Sequence, residues 1–276
     1  PMKVLSEDQV NSYHKNGYCH PLDVLSEAEA QTFRTQLEQA EHDYPDALNS
    51  TNRNNAHLAF CFLDEMAHNK IILDAVEDLI GPNILLSGSV LFVKEGRSPS
   101  FVSWHQDATY MGFSPNNFVT PWVALTTSNS VSGCMRVIPG SHLGPILQHE
   151  DTFGEDNILT RGQKICNLAE ENAVDIELRP GQMSLHHPKI IHSSMPNQSD
   201  DRRMGLALQS YMTPSVKQTV GKNYALLVRG QETEGHAILL KRPEKDMNRE
   251  AVFQREKANQ NLSTILYHGS SKVRSY

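Results

Sequence analysis

Cysteine is scarce and scattered. The 276-residue chain carries four, Cys19, Cys61, Cys134 and Cys166, and no two form a Cys-Xaa-Xaa-Cys pair. That excludes zinc-finger and dithiol redox motifs and fits reduced thiols in the cytoplasm. No apolar run approaches the roughly 18 residues that a membrane-spanning helix needs, and nothing at the start reads as a signal peptide. An excess of cations is missing too. With 25 Lys and Arg against 32 Asp and Glu, the formal charge is −7, which argues against nucleic acid or an acidic membrane surface as main partner. Internal repeats and low-complexity linkers are absent. What is left, 38% hydrophobic with mixed charge, is the composition of a globular cytoplasmic protein that meets a small molecule.

The first third reads as helical. Ser6-Glu7-Asp8-Gln9 and Ser26-Glu27-Ala28-Glu29 fit capping boxes, in which a hydroxyl and the side chain three residues on satisfy free amides. Lys70 to Ile80 places Ile71, Ile72, Ala75, Val76, Leu79 and Ile80 at helical spacing and stops at Gly81-Pro82. From Ile84 the pattern changes to short β-rich runs. The spacing predicts strands over 84–94, 118–127, 135–138, 173–178, 183–187 and 203–212, with Arg179-Pro180-Gly181-Gln182 as a type II turn. Helices followed by many strands predict an α+β chain, mainly β: a jelly-roll core over about 84–230, buttressed by helices over about 5–82. We expect one domain over 1–276. The polar tail, about 243–276, is expected to form a helix over 247–261 that packs on a partner subunit, making the chain a homo-oligomer.

Four positions carry the chemistry. His105 and Asp107 stand in Trp104-His105-Gln106-Asp107, and His192 precedes Arg203 in the sequence. On an extended strand, residues i and i+2 share a face, so His105 and Asp107 can reach one metal and His192 can join them from a distant strand. Two imidazoles and a carboxylate are the facial triad of non-haem Fe(II) oxygenases, with open sites for a keto acid and O₂. Arg203 offers a bidentate anchor for a carboxylate. Ser194, two residues past His192, shares its strand face and can hydrogen-bond the same carboxylate. Gly205 and Ala207 share the Arg203 face and are small enough to leave room for a ligand. The opposing reading of Arg203, a surface partner of Asp200 or Asp201, fits Arg202 better.

Longer stretches match a known pattern. Trp104 to Asp107, Trp122-Val123-Ala124-Leu125, Gly133 to His142 and His192 to Ser199 ending in Arg203 resemble the phytanoyl-CoA dioxygenase family, from about residue 5 to about residue 230. The resemblance implies a double-stranded β-helix that binds Fe(II), with 2-oxoglutarate gripped by Arg203 and Ser194, Trp122 beside the co-substrate, and O₂ as oxidant. Related halogenases replace the carboxylate ligand with a small residue. Asp107 is present here, which favours hydroxylation, while desaturation or cyclisation could use the same triad. Rival readings are a cupin-like metalloenzyme that does not use 2-oxoglutarate and a non-catalytic sensor.

Substrate-binding candidates come from loops near the expected barrel mouth: Arg53 and Asn55 in a polar run, Tyr110 just past Asp107, and Arg161. Such donors suit a small anionic or zwitterionic substrate. The chain is similar to bacterial members of the family that hydroxylate aminophosphonates such as 2-aminoethylphosphonate. His186 and His187 compete with His192 as third ligand, but their spacing to Arg203 departs from the family pattern. His142 reads as structural, and His57, His68, His149, His236 and His268 as surface residues.

Overall fold

The computed structural model describes residues 1–159, 162 and 164–270. Both capping boxes form. Ser6 and Ser26 accept from the amides of Gln9 and Glu29, whose side chains return to the serine backbones. Helices α1 (Glu7–Asn16), α2 (Glu27–Asp43), α3 (Cys61–Ala67) and α4 (Lys70–Ile80) build the helical layer. Helix α4 covers the residues its apolar spacing predicts and ends at Gly81, whose φ of 93° favours glycine. Strand β1 (Tyr18–Asp23), between α1 and α2, was not expected from the helical reading.

The strands that follow are β2 (Ile84–Leu86), β3 (Val90–Lys94), β4 (Val102–His105), β5 (Phe113–Ser114), β6 (Phe118–Ala124) and β7 (Met135–Val137). Then come β8 (Val174–Asp175), β9 (Gln182–His186), β10 (His192–Ser194), β11 (Arg203–Ala207), β12 (Tyr211–Met212), β13 (Lys217–Gln218), β14 (Tyr224–Arg229) and β15 (Ile238–Leu239). A short helix α5 (Ala108–Met111) follows β4, and α6 (Arg249–Leu266) closes the described chain. A nine-stranded sheet runs β1-β9-β6-β12-β2-β14-β15, with β11 joining β6 to β3. A four-stranded sheet runs β4-β10-β7-β8. Together they form the jelly-roll. The Arg179–Gln182 turn closes with Gln182 N donating to Arg179 O at 3.0 Å, and Gly181 has φ 89°, as a type II turn requires.

Strand β6 is buried along its whole length because both of its faces are covered. Val119 and Val123 pack outward with Leu63, Ile72 and Val76 of the helical layer. Trp122 and Ala124 pack inward with Val137, Ile176 and Ala207. Each such aliphatic side chain contributes on the order of 1.5–3 kcal/mol. Among the described residues no helix is long and apolar enough to cross a membrane.

Two expected strands are broken. The 84–94 run splits at Ser87-Gly88-Ser89, where Asn55 takes over the ladder bonds: its amide donates to Ser89 O at 2.7 Å and its Oδ1 accepts from Ser89 N at 3.1 Å. The 203–212 run splits before Tyr211. Helix α6 packs one face on its own chain. Buried Arg255 donates to Ala47 O at 2.6 Å and Asn54 O at 3.0 Å, and Ala258 meets Leu58 and Leu226.

Candidate active site

His105 ends β4 and His192 opens β10, and the two are direct partners in the antiparallel register. Each ring is oriented by its own strand. His105 Nδ1 donates to Ser103 O at 2.8 Å and His192 Nδ1 to Ile190 O at 3.0 Å. That fixes the tautomer and turns both Nε2 lone pairs toward the interior, as metal-binding imidazoles require. The third member arrives by another route than strand periodicity. Strand β4 stops at His105, and Asp107 has helical φ and ψ at the head of α5. Its Oδ1 nonetheless lies 3.2 Å from His105 Nε2 and 3.5 Å from His192 Nε2. Ligand atoms of the three residues all fall within 4.8 Å of one another, a set that could hold one metal ion.

Electrostatics match that donor set. Burial would raise the Asp107 carboxyl, but the facing His192, His105 and His186 outweigh it and hold it well below the usual carboxylate range. Burial, together with His105, pushes His192 down to about 3, so it is neutral and its lone pair is free.

A second polar cluster shares the cavity. Arg203 is 2% exposed, its Nη1 donates to Gly133 O at 2.6 Å, and its Nε has no partner among the described residues. Its guanidinium lies over the Trp122 ring, 5.1 Å from the centroid. Lys94 is Arg203's register partner on β3 and is wholly buried. Its Nζ donates to Ser194 Oγ at 2.7 Å, Met195 O at 2.5 Å and Gly133 O at 3.1 Å. Burial, and then the Arg203 charge, pull the lysine down to about 6, and burial pulls Arg203 to about 10. Among the described residues no carboxylate pairs with either cation. At neutral pH the lysine is therefore largely uncharged beside the Arg203 cation, and a buried guanidinium without a counter-ion is costly unless an anion docks against it.

His105, Asp107, His192, Ser194 and Arg203 line one cavity, together with Phe92, Val102, Tyr110, Met135, Leu159 and Gln209, and Lys94 connects to it through its bond to Ser194. The Tyr110 hydroxyl donates to Asp107 Oδ1 at 3.3 Å and its ring stacks on His105. Trp122 lies in the cavity wall as well as in the core. Gly205 does not make room for a ligand, because the Trp122 ring fills the space a Cβ would need.

The structure does not bring the other candidates here. Asn55 bonds Ser89 and, through Nδ2, Asn259 of α6 at 2.9 Å. Arg53 Nη1 donates to Val93 O at 3.1 Å. Their loop is a strap along β3, and its polar density serves backbone bonding. Arg161 lies outside the described residues. His57 and His149 are also not surface residues: His57 bonds Ser89 Oγ at 2.6 Å, and His149 accepts from Gln106 N at 2.9 Å. Sequence reasoning missed Lys94, a lone charge ending the apolar run Val90-Leu91-Phe92-Val93. It considered His186 only as a rival ligand, yet His186 lines the cavity.

Comparison with known proteins agrees with this geometry. The family model for phytanoyl-CoA dioxygenase (PhyH) matches residues 13–205. The chain belongs to the phytanoyl-CoA dioxygenase family. It is therefore a dioxygenase whose cofactors are Fe(II) and 2-oxoglutarate. Among curated relatives, the peroxisomal phytanoyl-CoA dioxygenase of Bos taurus is 26% identical, over 74% of this chain and 68% of that protein. A probable alpha-ketoglutarate-dependent hypophosphite dioxygenase of Stutzerimonas stutzeri is 29% identical, over 65% of this chain and 64% of its own length. Among solved structures, the apo form of the non-heme monooxygenase ThoJ superposes with a TM-score of 0.84 at 32% identity, covering 95% of this chain and 98% of that one.

Proposed function

We propose that His105, Asp107 and His192 hold Fe(II), and that Arg203, Ser194 and Lys94 hold the distal carboxylate of 2-oxoglutarate beside Trp122. The enzyme so built hydroxylates an unactivated C–H bond of a small polar substrate. One observation carries the reading: a cation-binding donor set and a buried arginine, paired by no carboxylate of the described residues, face each other in one cavity. The first complements iron and the second a dicarboxylate. Bound there, iron and 2-oxoglutarate supply the oxidising power of O₂, with succinate and CO₂ as by-products.

The chain's own residues position and exclude. The carbonyls of Ser103 and Ile190 hold the imidazoles in aim, so little reorganisation is needed on loading. Phe92, Val102, Met135 and Leu159 keep the cavity apolar and limit water. Tyr110 and Gln209 are the neutral polar side chains placed to orient a substrate.

For the substrate, the candidate is 2-aminoethylphosphonate or a related aminophosphonate. A relative named for hypophosphite, another small phosphorus oxyanion, supports it. The apolar wall supports a second reading, the same chemistry on a different small metabolite with more hydrocarbon, by hydroxylation, desaturation or cyclisation. To decide, succinate is measured from anaerobically iron-loaded protein given 2-oxoglutarate and O₂, with and without each member of a panel of aminophosphonates and other zwitterions. Stimulation by an aminophosphonate is the expected result. Stimulation by other members alone would leave the oxygenase and remove the phosphonate, and no succinate under any condition would remove both.

A further inference from the structure

A third imidazole touches the metal cluster from the opposite sheet. His186 ends β9, where it pairs with Thr120 of β6 and Tyr18 of β1 in the nine-stranded sheet. It is 3% exposed, and its ring centroid lies 4.9 Å from that of His192. Its Nε2 approaches Asp107 Oδ2 at 3.3 Å. His105 and His192 instead direct their Nε2 atoms at Oδ1, so the two carboxylate oxygens have separate neighbours.

We propose that His186 is a positioning residue that occupies Asp107 Oδ2 and thereby keeps the carboxylate one-toothed toward the metal. The reading rests on the metal assignment above. An ionised carboxylate only accepts hydrogen bonds, so His186 Nε2 must carry the hydrogen. Its lone pair then sits on Nδ1, which has no partner among the described residues and lies on the ring edge away from Asp107. In that state His186 cannot be a fourth ligand. Instead, Oδ2 is held and Oδ1 is left to the metal. A facial triad needs three free coordination sites, and a carboxylate that swings to bind through both oxygens takes one of them. Outer-shell donors of this kind orient the ligands they bond.

Two variants separate donation from packing: His186→Gln keeps an N–H donor, whereas His186→Phe keeps a flat ring without one. Two readouts precede turnover. One is the Fe(II) dissociation constant under argon against a competing chelator. The other is the metal-to-ligand charge-transfer absorption of the Fe(II)·2-oxoglutarate complex, with folding checked by circular dichroism. For His186→Phe we expect metal binding weakened by about 10–100-fold and a charge-transfer band shifted or reduced, and for His186→Gln both measurements near those of the unmodified protein. A Phe variant indistinguishable from the unmodified protein would overturn the role, as would equal losses in two folded variants. An unmodified protein that gives no charge-transfer band would overturn the metal assignment itself, and the role of His186 with it.

Discussion

The two polar clusters that share the cavity differ in sign and in how fully their atoms are partnered. At the metal corner, both ligand imidazoles are bonded to backbone carbonyls and both Asp107 oxygens have close neighbours. Strand pairing sets the two imidazoles there, and the head of α5 sets the carboxylate. At the other corner, Arg203 Nε has no partner among the described residues, and burial beside the guanidinium pulls Lys94 down to about 6. That corner is held against its own electrostatics by the surrounding core. One corner is organised in advance, while the other holds a buried guanidinium paired by no carboxylate of the described residues.

Breaking the second corner should give the largest effect. Arg203→Met should raise the 2-oxoglutarate dissociation constant by about 100-fold, on the order of 3 kcal/mol, as measured by calorimetry. The same change removes a buried unpaired charge, so the ligand-free protein should melt higher, by roughly 2–4 °C for each 1 kcal/mol gained. An unchanged affinity would contradict the anion role.

Lys94 sharpens the contrast through protons. Its pKa falls from an ordinary 10.5 to about 6 in the fold. Between those values the unfolded chain holds the proton and the folded one does not, so this residue makes stability rise with pH across that window. A docking carboxylate favours the ammonium and raises the folded pKa. Binding of 2-oxoglutarate at pH 7–8 should therefore take up a proton, visible as a binding enthalpy that varies with the ionisation enthalpy of the buffer. Lys94→Met should abolish that dependence and weaken binding by about tenfold, roughly 1.4 kcal/mol. A buffer-independent enthalpy in the unmodified protein would rule the lysine out.

The smallest effect is expected away from both corners. Arg53→Ala removes the bond to Val93 O and should cost about 1 kcal/mol of stability, seen as a lower melting temperature with 2-oxoglutarate affinity unchanged. A loss of affinity instead would return the strap to the binding surface.

Much of this was legible because the informative residues were close in sequence or fixed by local rules. Ser6, Ser26 and Gly81 marked helix ends by capping chemistry. His105, Asp107, His192 and Arg203 stood out because their residue types match one donor set. The geometric reason offered for His105 and Asp107 did not hold, since a helix begins where the strand was extrapolated. Lys94 escaped because nothing local marks it. Its importance comes from a register partner more than a hundred residues away. The partners of Arg53 and Asn55 were hidden for the opposite reason: side-chain polarity cannot distinguish a loop that binds ligand from one that satisfies a broken ladder.

The most direct test of the account is 2-oxoglutarate binding, measured by anaerobic calorimetry with and without Fe(II), in the unmodified protein and in Asp107→Ala. The account predicts one-to-one binding that tightens strongly with iron, a tightening that disappears in the variant. Affinity that ignores iron, or an Asp107→Ala variant that still responds to it, would contradict the pairing of the two corners.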